Sequence, residues 1–255
     1  MLFQLDQTGG AVSEDSILFE GDFDFARDGQ AWEAAFYESG TLRFAADPGI
    51  CDIWILDGGE DGGSGEIAGG YVYSGIGGDG GLHKLHTVRL RRGVEYTLTV
   101  GAAGEASSLA GGGLDLDASA GTRSAGGTKA KMPQGVVSQG DVNSGGNQGA
   151  WPYESDSDCT LIVALAGKRL GASGAGGDAN NDSGVYTDQH SSSTTGGEHG
   201  GGDGAVRDHH NGYDATQPGG GGGGGYGDGK YGQHGVGGSG ASGLILVRKH
   251  VEVAA

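Results

Sequence analysis

The chain has 255 residues, 60 of them glycine, with two cysteines, four prolines and a formal net charge of −18. That acid excess excludes a basic footprint for DNA, RNA or an anionic membrane surface, since phosphate binding needs clustered cations. Scarce proline and an irregular glycine register exclude collagen, and the longest apolar run, Leu161 to Ala166, is too short to span a bilayer.

Residues 1–16 have no clear period and read as an N-terminal arm, the attachment segment. Met1 to Asp6 lack a basic stretch and a sustained apolar one, so no secretory signal is expected. The chain is expected to be made in a cytoplasm and to leave it by another route, such as lysis. From Ile17 a β-rich region begins. Phe23 and Phe25 share a face, Trp32, Ala34 and Phe36 alternate, and a Ser-Gly-Thr turn leads into LRFAA. Asp47-Pro48-Gly49 is a strong turn signal, and ICDIWIL reads as a central strand buried on both faces. Cys51 in that run and Cys159 in DCTLIV could bridge if their strands are neighbours; buried free thiols, usual in a cytoplasmic product, are the other outcome.

The strand at Cys51 runs into a first glycine excursion, residues 57–82, in which Gly59, Gly62 and Gly65 step by three. A hairpin follows, HTVRL and VEYTLTV, with Val94, Tyr96, Leu98 and Val100 on one face. A second excursion covers 101–150, DCTLIVALAG returns to a strand, and the third excursion covers 167–243. In the third, Gly171, Gly174 and Gly177, then Gly229, Gly232, Gly235 and Gly238, repeat the spacing of three. GLILVRK closes the sheet. No stretch has a convincing 3.6 period, and this much glycine opposes α-helix.

A period of three belongs to the extended, left-handed polyproline-II type of helix, about 3.1 Å per residue and without internal hydrogen bonds. Its N–H and C=O groups must pair with something, and only glycine lets neighbouring backbones come close enough to pair sideways. The excursions are therefore predicted to form a packed bundle of polyglycine-II helices. They leave and re-enter at strand ends, which places them together at one end of a single all-β domain, residues 17–255, with essentially no α-helix.

Signals for chemistry are few. Gly227, Gly229 and Gly232 fit G-x-G-x-x-G, but no βαβ unit surrounds them. Asp208, His209 and His210 are the first place to look for a transition metal, yet no paired ligand spacing accompanies them, so no metal is predicted. Asp178 to Gly184 resembles a calcium loop without its distal glutamate or flanking helices. No serine sits in a G-x-S-x-G context, and no aromatic-lined cleft is evident for a carboxylate pair. The chain is read as non-enzymatic and without a cofactor. Aromatic residues amid polar, glycine-rich loops suit contact with sugars or protein surfaces, and they also suit wedging between glycine helices. Tyr71, Tyr73, Tyr186, Asp208, His209, His210, Asn211 and Tyr213 make the candidate contact set, with 184–216 as the presenting loops.

Four features in this order resemble the glycine-rich domain of bacteriophage and prophage tail proteins over roughly residues 20–250. They are Trp32, Phe36, Ser39, Gly40 and Thr41; Asp-Ile-Trp-Ile-Leu running into a glycine block; the arm Gly93 to Gly104; and the closing Gly240 to Val247. The resemblance implies a β-sandwich of jelly-roll or TNF-like type, decorated with glycine helices and placed on a tail fibre, tip or baseplate. It is similar in style to phage adhesins whose polyglycine-II helices carry receptor-touching loops. It also implies a virion location, an oligomer in the particle, partners among other tail or baseplate proteins and a host cell-surface glycan or protein, and neither nucleic-acid binding nor membrane insertion. A purely structural tail-tip, baseplate or decoration subunit is the alternative. The chain departs from the pattern where acidic mixtures such as Gly58-Gly59-Glu60-Asp61 replace all-glycine blocks.

Overall fold

The computed structural model describes residues 12–133, 144–153, 160–177, 179–180, 196–197, 200–206, 209–228 and 234–250. After a 3-10 turn at Glu14–Ser16, the strands are β1 (Ile17–Phe19), β2 (Phe23–Asp28), β3 (Ala31–Phe36), β4 (Gly40–Phe44) and β5 (Gly49–Leu56). Then come β6 (Glu66–Ala68), β7 (Tyr71–Tyr73), β8 (His83–Leu90), β9 (Glu95–Thr99), β10 (Ser108–Gly111) and β11 (Leu114–Asp117). The last are β12 (Lys131–Pro133), β13 (Ala179–Asn180), β14 (Gly227–Asp228) and β15 (Leu244–Lys249). The all-β expectation holds.

Two five-stranded antiparallel sheets, in the orders β1-β4-β9-β10-β11 and β2-β3-β15-β5-β8, carry most of these strands. Alternate residues of both build one apolar core: Trp32, Ala34, Phe36, Ile53, Ile55, Ile245 and Val247 from one sheet, and Leu42, Phe44, Tyr96, Leu98 and Leu109 from the other. Cys51 lies in this core as a free thiol, and burial pushes its pKa up to about 12. Cys159 lies outside the described residues. β15, from the far end of the chain, is inserted between β3 and β5.

Local pattern and fold part company at four places. HTVRL and VEYTLTV form no hairpin: β8 pairs with β5 and β9 with β4 and β10, so the turn between them carries the chain from one sheet to the other. Val12 is buried in the main core, so the body already begins inside the segment read as an arm. Within 101–150, Ser108–Asp117 is not an excursion but a hairpin that completes a sheet: Leu109 is buried, Leu114 and Leu116 pack against the core, and Gly111, Gly112 and Gly113 turn with positive φ. At 160–169 no strand forms. Ala166 N–H bonds the Ile162 carbonyl and Lys168 N–H that of Leu165, making a compact strap. Its Ile162 and Leu165, with Leu170 and Tyr153, cover Ala35, Trp54, Leu56, Leu244 and Leu246 on the outer face of the second sheet. The aliphatic run is thus spent as a lid on a sheet, and its odd member, Val163, is 89% exposed.

The glycine segments run as straight rods off one end of the sheets, where Leu244, Leu56 and His83 are in register. Rod 219–226, with seven consecutive glycines, is the axis. Going up it, successive N–H groups of Gly221, Gly222 and Gly223 donate to Ala172, Glu60 and Tyr213, and those of Gly224, Gly225 and Tyr226 donate to Ala175, Gly63 and His210. Its carbonyls follow the same period: those of Gly221, Gly222 and Gly223 accept from Gly202, Gly78 and Gly238, and those of Gly224, Gly225 and Tyr226 from Ala205, Gly75 and Gly235. These bonds are all 2.7–2.9 Å long.

Six rods therefore surround the axis: 57–65, 74–82, 171–177, 200–206, 209–216 and 234–243. Each also bonds the next, through Glu60 to Asp79, Gly174 to Gly78, Ala175 to Gly202, Tyr213 to Asp203, Gly212 to Val236 and Gly62 to Gly238. The ring is closed. Rods 57–65, 171–177 and 200–206 run parallel to the axis and the other three antiparallel, as the direction of the register along each pair requires. A Cβ at any position from Gly220 to Gly225 would lie within 3.0 Å of a neighbouring backbone atom, so a fully surrounded rod has no room for side chains. Ring rods keep an outward position, filled by residues such as Ile76 and Asp79.

Acidic residues complete this pairing where carbonyls run out. The Oδ1 atoms of Asp61, Asp79, Asp203 and Asp214 accept the N–H of Gly240, Gly126, Gly196 and Ser239, and the Asn211 side chain accepts that of Val236. A carboxylate oxygen on a short side chain reaches as far as a neighbouring carbonyl would. The acid-for-glycine replacements thus belong to the same hydrogen-bond scheme.

Candidate functional site

The bundle rises about 22 Å from the sheets, taking the seven steps from Gly219 to Tyr226 at about 3.1 Å each. Its distal end carries the three-stranded sheet β12-β7-β6. Period two divides this small sheet. Ile67 and Val72 fall on one side, with Val72 fully buried, while Tyr71 and Tyr73 fall on the other. The tyrosine rings are 6.2 Å apart. Lys131, cross-strand from Tyr73, holds its ammonium 4.2 Å from the Tyr71 ring centre and 5.7 Å from that of Tyr73. Lys129 lies 4.4 Å over Tyr73 and 3.2 Å from Glu66 Oε1. Neither lysine stood out in the sequence; the signal was the shared period of two in Tyr71-Val72-Tyr73 and Lys129-Ala130-Lys131, whose meeting depends on a pairing across 58 or more residues.

Across the axis, Val206 and His209 exchange backbone hydrogen bonds where rods 200–206 and 209–216 lie side by side. His209 stacks on Tyr213 at 4.3 Å and 13°, and His210 stacks on Tyr226 at 5.2 Å and 8°. His209 Nδ1 is 3.0 Å from the Asn211 carbonyl. The candidate residues are therefore not one cluster. Tyr71 with Tyr73, and His209 with Tyr213, stand on opposite sides of the bundle. Tyr186 and Asp208 lie outside the described residues, as does most of the calcium-like stretch 178–184. Among the described residues no three His, Cys, Asp or Glu side chains come together to hold a metal.

Of the lattice glycines, Gly59, Gly62 and Gly65 donate to Ala241, Gly238 and Gly235, and Gly174 and Gly177 donate to Gly78 and Gly75. Gly171 turns the chain into its rod with φ +69°. Gly235 and Gly238 donate to Tyr226 and Gly223; Gly229 and Gly232 lie outside the described residues.

A cavity of about 140 Å³ at the foot of the bundle is lined by Asp57, Glu60, Glu105 and Arg123 among others. It is smaller than the pockets of roughly 300 Å³ and more that hold small molecules, and Arg123 is closed off by Glu60 at 2.6 Å and Asp79 at 2.7 Å.

At the opposite end of the molecule a polar row crosses the outer face of the strapped sheet, Glu33–Arg248–Asp52–Thr87. Glu33 is 1% exposed. Burial raises its pKa, against hydrogen bonds from the Leu161 N–H and the Thr160 and Tyr153 hydroxyls and the Arg248 charge. Burial also acts on Asp52, but there the Thr87 hydroxyl, His250 at 2.9 Å and Arg248 at 3.5 Å prevail and hold the carboxyl below its ordinary value. Arg248 lies over Tyr153, its Cζ 3.5 Å from the ring centre. Residues 12–17 and 248–250 both lie at this end, where Ala45 N–H bonds Ser16 and His250 N–H bonds Ile50.

Comparison with protein-family models, curated proteins and solved structures gave no match. No helix among the described residues is long and apolar enough to cross a membrane.

Proposed function

We propose that this chain is a non-enzymatic phage tail protein that meets the host surface through the distal half of a polyglycine-II bundle. The observation that carries this reading is where large apolar side chains remain exposed. Among the described residues, Ile67, Tyr71, Ile76, Tyr213 and Val236 all stand on the upper bundle or its cap, whereas the two-sheet body and its strap leave Leu18, Ile50 and Val163 exposed. Isolated exposed apolar residues are normal, but their concentration at one extremity marks contact. A bundle whose rods are cross-bonded along their length enters a complex already ordered, which lowers the entropy cost of binding. Many copies on one particle would multiply weak single contacts.

The test is binding of the labelled protein to intact host cells. Val236→Asp and Tyr71→Ser, both at exposed positions, are expected to weaken binding about tenfold each, while Val163→Asp on the strap leaves it unchanged. Equal binding by all variants would refute a contact role for the tip. A protein that ignores cells and associates only with other virion proteins would support the structural-subunit reading instead.

A further inference from the structure

The rings at the tip are already engaged, and that decides what they can offer a ligand. Tyr71 and Tyr73 each have an ammonium group of the same chain over the ring, and Tyr213 has His209 against it. A neutral sugar usually docks by laying its apolar face on an open aromatic ring, and here those faces are occupied. What the cap presents is positive charge on an aromatic floor. Lys129 shares its charge with Glu66. Among the described residues no carboxylate lies within ion-pairing distance of Lys131; its ammonium is held by two π-faces, with N–H donors left over.

We infer that the tyrosine–lysine face of the β12-β7-β6 cap is a binding site for an acidic glycan, with Lys131 as the anion-contacting residue. This rests on the host-contact reading and narrows its ligand class. Charge complementarity selects the partner. The chain carries −18 overall, yet beside the Tyr71 and Tyr73 rings it gathers Lys129 and Lys131 against Glu66. A flexible lysine normally gives up much rotamer freedom on binding an anion; the two rings have already fixed this one, which lowers that cost. The same overall charge repels every long polyanion, so the ligand that fits is one that places a single carboxylate at Lys131 and keeps its remaining length clear of the acidic body.

The experiment uses the full chain against immobilised polygalacturonate, neutral dextran and single-stranded DNA, with salt raised from about 50 to about 300 mM to screen surface charge. Expected results are retention on polygalacturonate alone, loss of that retention with salt, and binding about tenfold weaker for Lys131→Met, which keeps the aliphatic stem over the rings. Lys131→Arg should bind within about threefold of the parent, since it restores the charge on the ring. Equal retention on dextran, tighter retention on DNA, no retention on polygalacturonate, or an unchanged Lys131→Met variant would each overturn the inference. Unaltered melting of the variant establishes that it is folded. If polygalacturonate fails while cell binding still depends on Val236 and Tyr71, only the acidic-glycan assignment falls; if cells are not bound either, the host-contact reading falls with it.

Discussion

Glycine 223 and glycine 93 are the same residue doing different work. Gly93 takes φ +70°, and a Cβ added there would meet nothing within 4 Å, whereas a Cβ at Gly223 would collide with the backbone at Asp203. Gly93→Ala should therefore cost about 1–2 kcal/mol of backbone strain, and Gly223→Ala about 3 kcal/mol or more, since it pushes rods apart and breaks their hydrogen bonds; urea titration of both variants measures the gap. Asp214 makes a finer case. Its oxygen accepts the Ser239 N–H at 2.7 Å, so Asp214→Ala should cost about 1 kcal/mol and Asp214→Asn, which keeps an acceptor, a few tenths. The carboxylates that share Arg248 should give opposite pH slopes. Burial holds Glu33 above its ordinary 4.5, so the folded state binds its proton more tightly than the unfolded chain, and its contribution falls as pH rises from about 4.5 through the raised value. Asp52 is held below its ordinary 3.8; its contribution is present above that value and lost as pH falls through the lowered one. In melts from about pH 3 to about pH 8, the wild type should lose ground to Glu33→Gln and gain ground on Asp52→Asn as pH rises.

Among the elements, the strap shows where reading the residues in order fails. TLIVALAG has the composition of a buried strand, and a short aliphatic run cannot by its period be told from other buried shapes. What decides is Glu33, 127 residues away, whose carboxylate receives the Thr160 hydroxyl and anchors a turn where a strand would otherwise pair. Leu165, 2% exposed, should cost about 3 kcal/mol on replacement by alanine, while the same change at Val163 should stay within about 0.5 kcal/mol; denaturant midpoints compare them. The hairpin at Ser108–Asp117 was more legible than the strap, since Leu109, Leu114 and Leu116 alternate about three glycines. It was hidden because glycine around it read as more of the same excursion. In the rods the triplet spacing was visible, but not which rod lies beside which. That follows from registers such as Gly222 to Glu60, which no local pattern contains. The same holds for the tip, where the tyrosines could be picked out and the lysines that lie on them could not.

At the scale of the whole molecule, bundle and sheets form one cooperative unit. The axis bonds all six of its neighbours, and rod 234–243 continues directly into β15 at the centre of a sheet. Amides of Gly221 to Tyr226 should therefore exchange with solvent only through global unfolding, with the same protection as those of Ile245 to Val247; faster exchange in the axis would show that the bundle opens on its own. Most of the pairings are distant in sequence, which places folding toward the slow end, in milliseconds to seconds or beyond. The position of β15 has a further consequence during synthesis. Leu56 leaves the ribosome long before its partner Leu244, and at about 5–20 residues per second the delay is roughly 10–40 s. Through that interval β3 and β5 border a vacant slot, and half-built rods have nothing to lie against. A newborn chain of this design must pass its first half-minute with open edges, at the risk of capture by a sister chain on the same message, until its last strand arrives to close them.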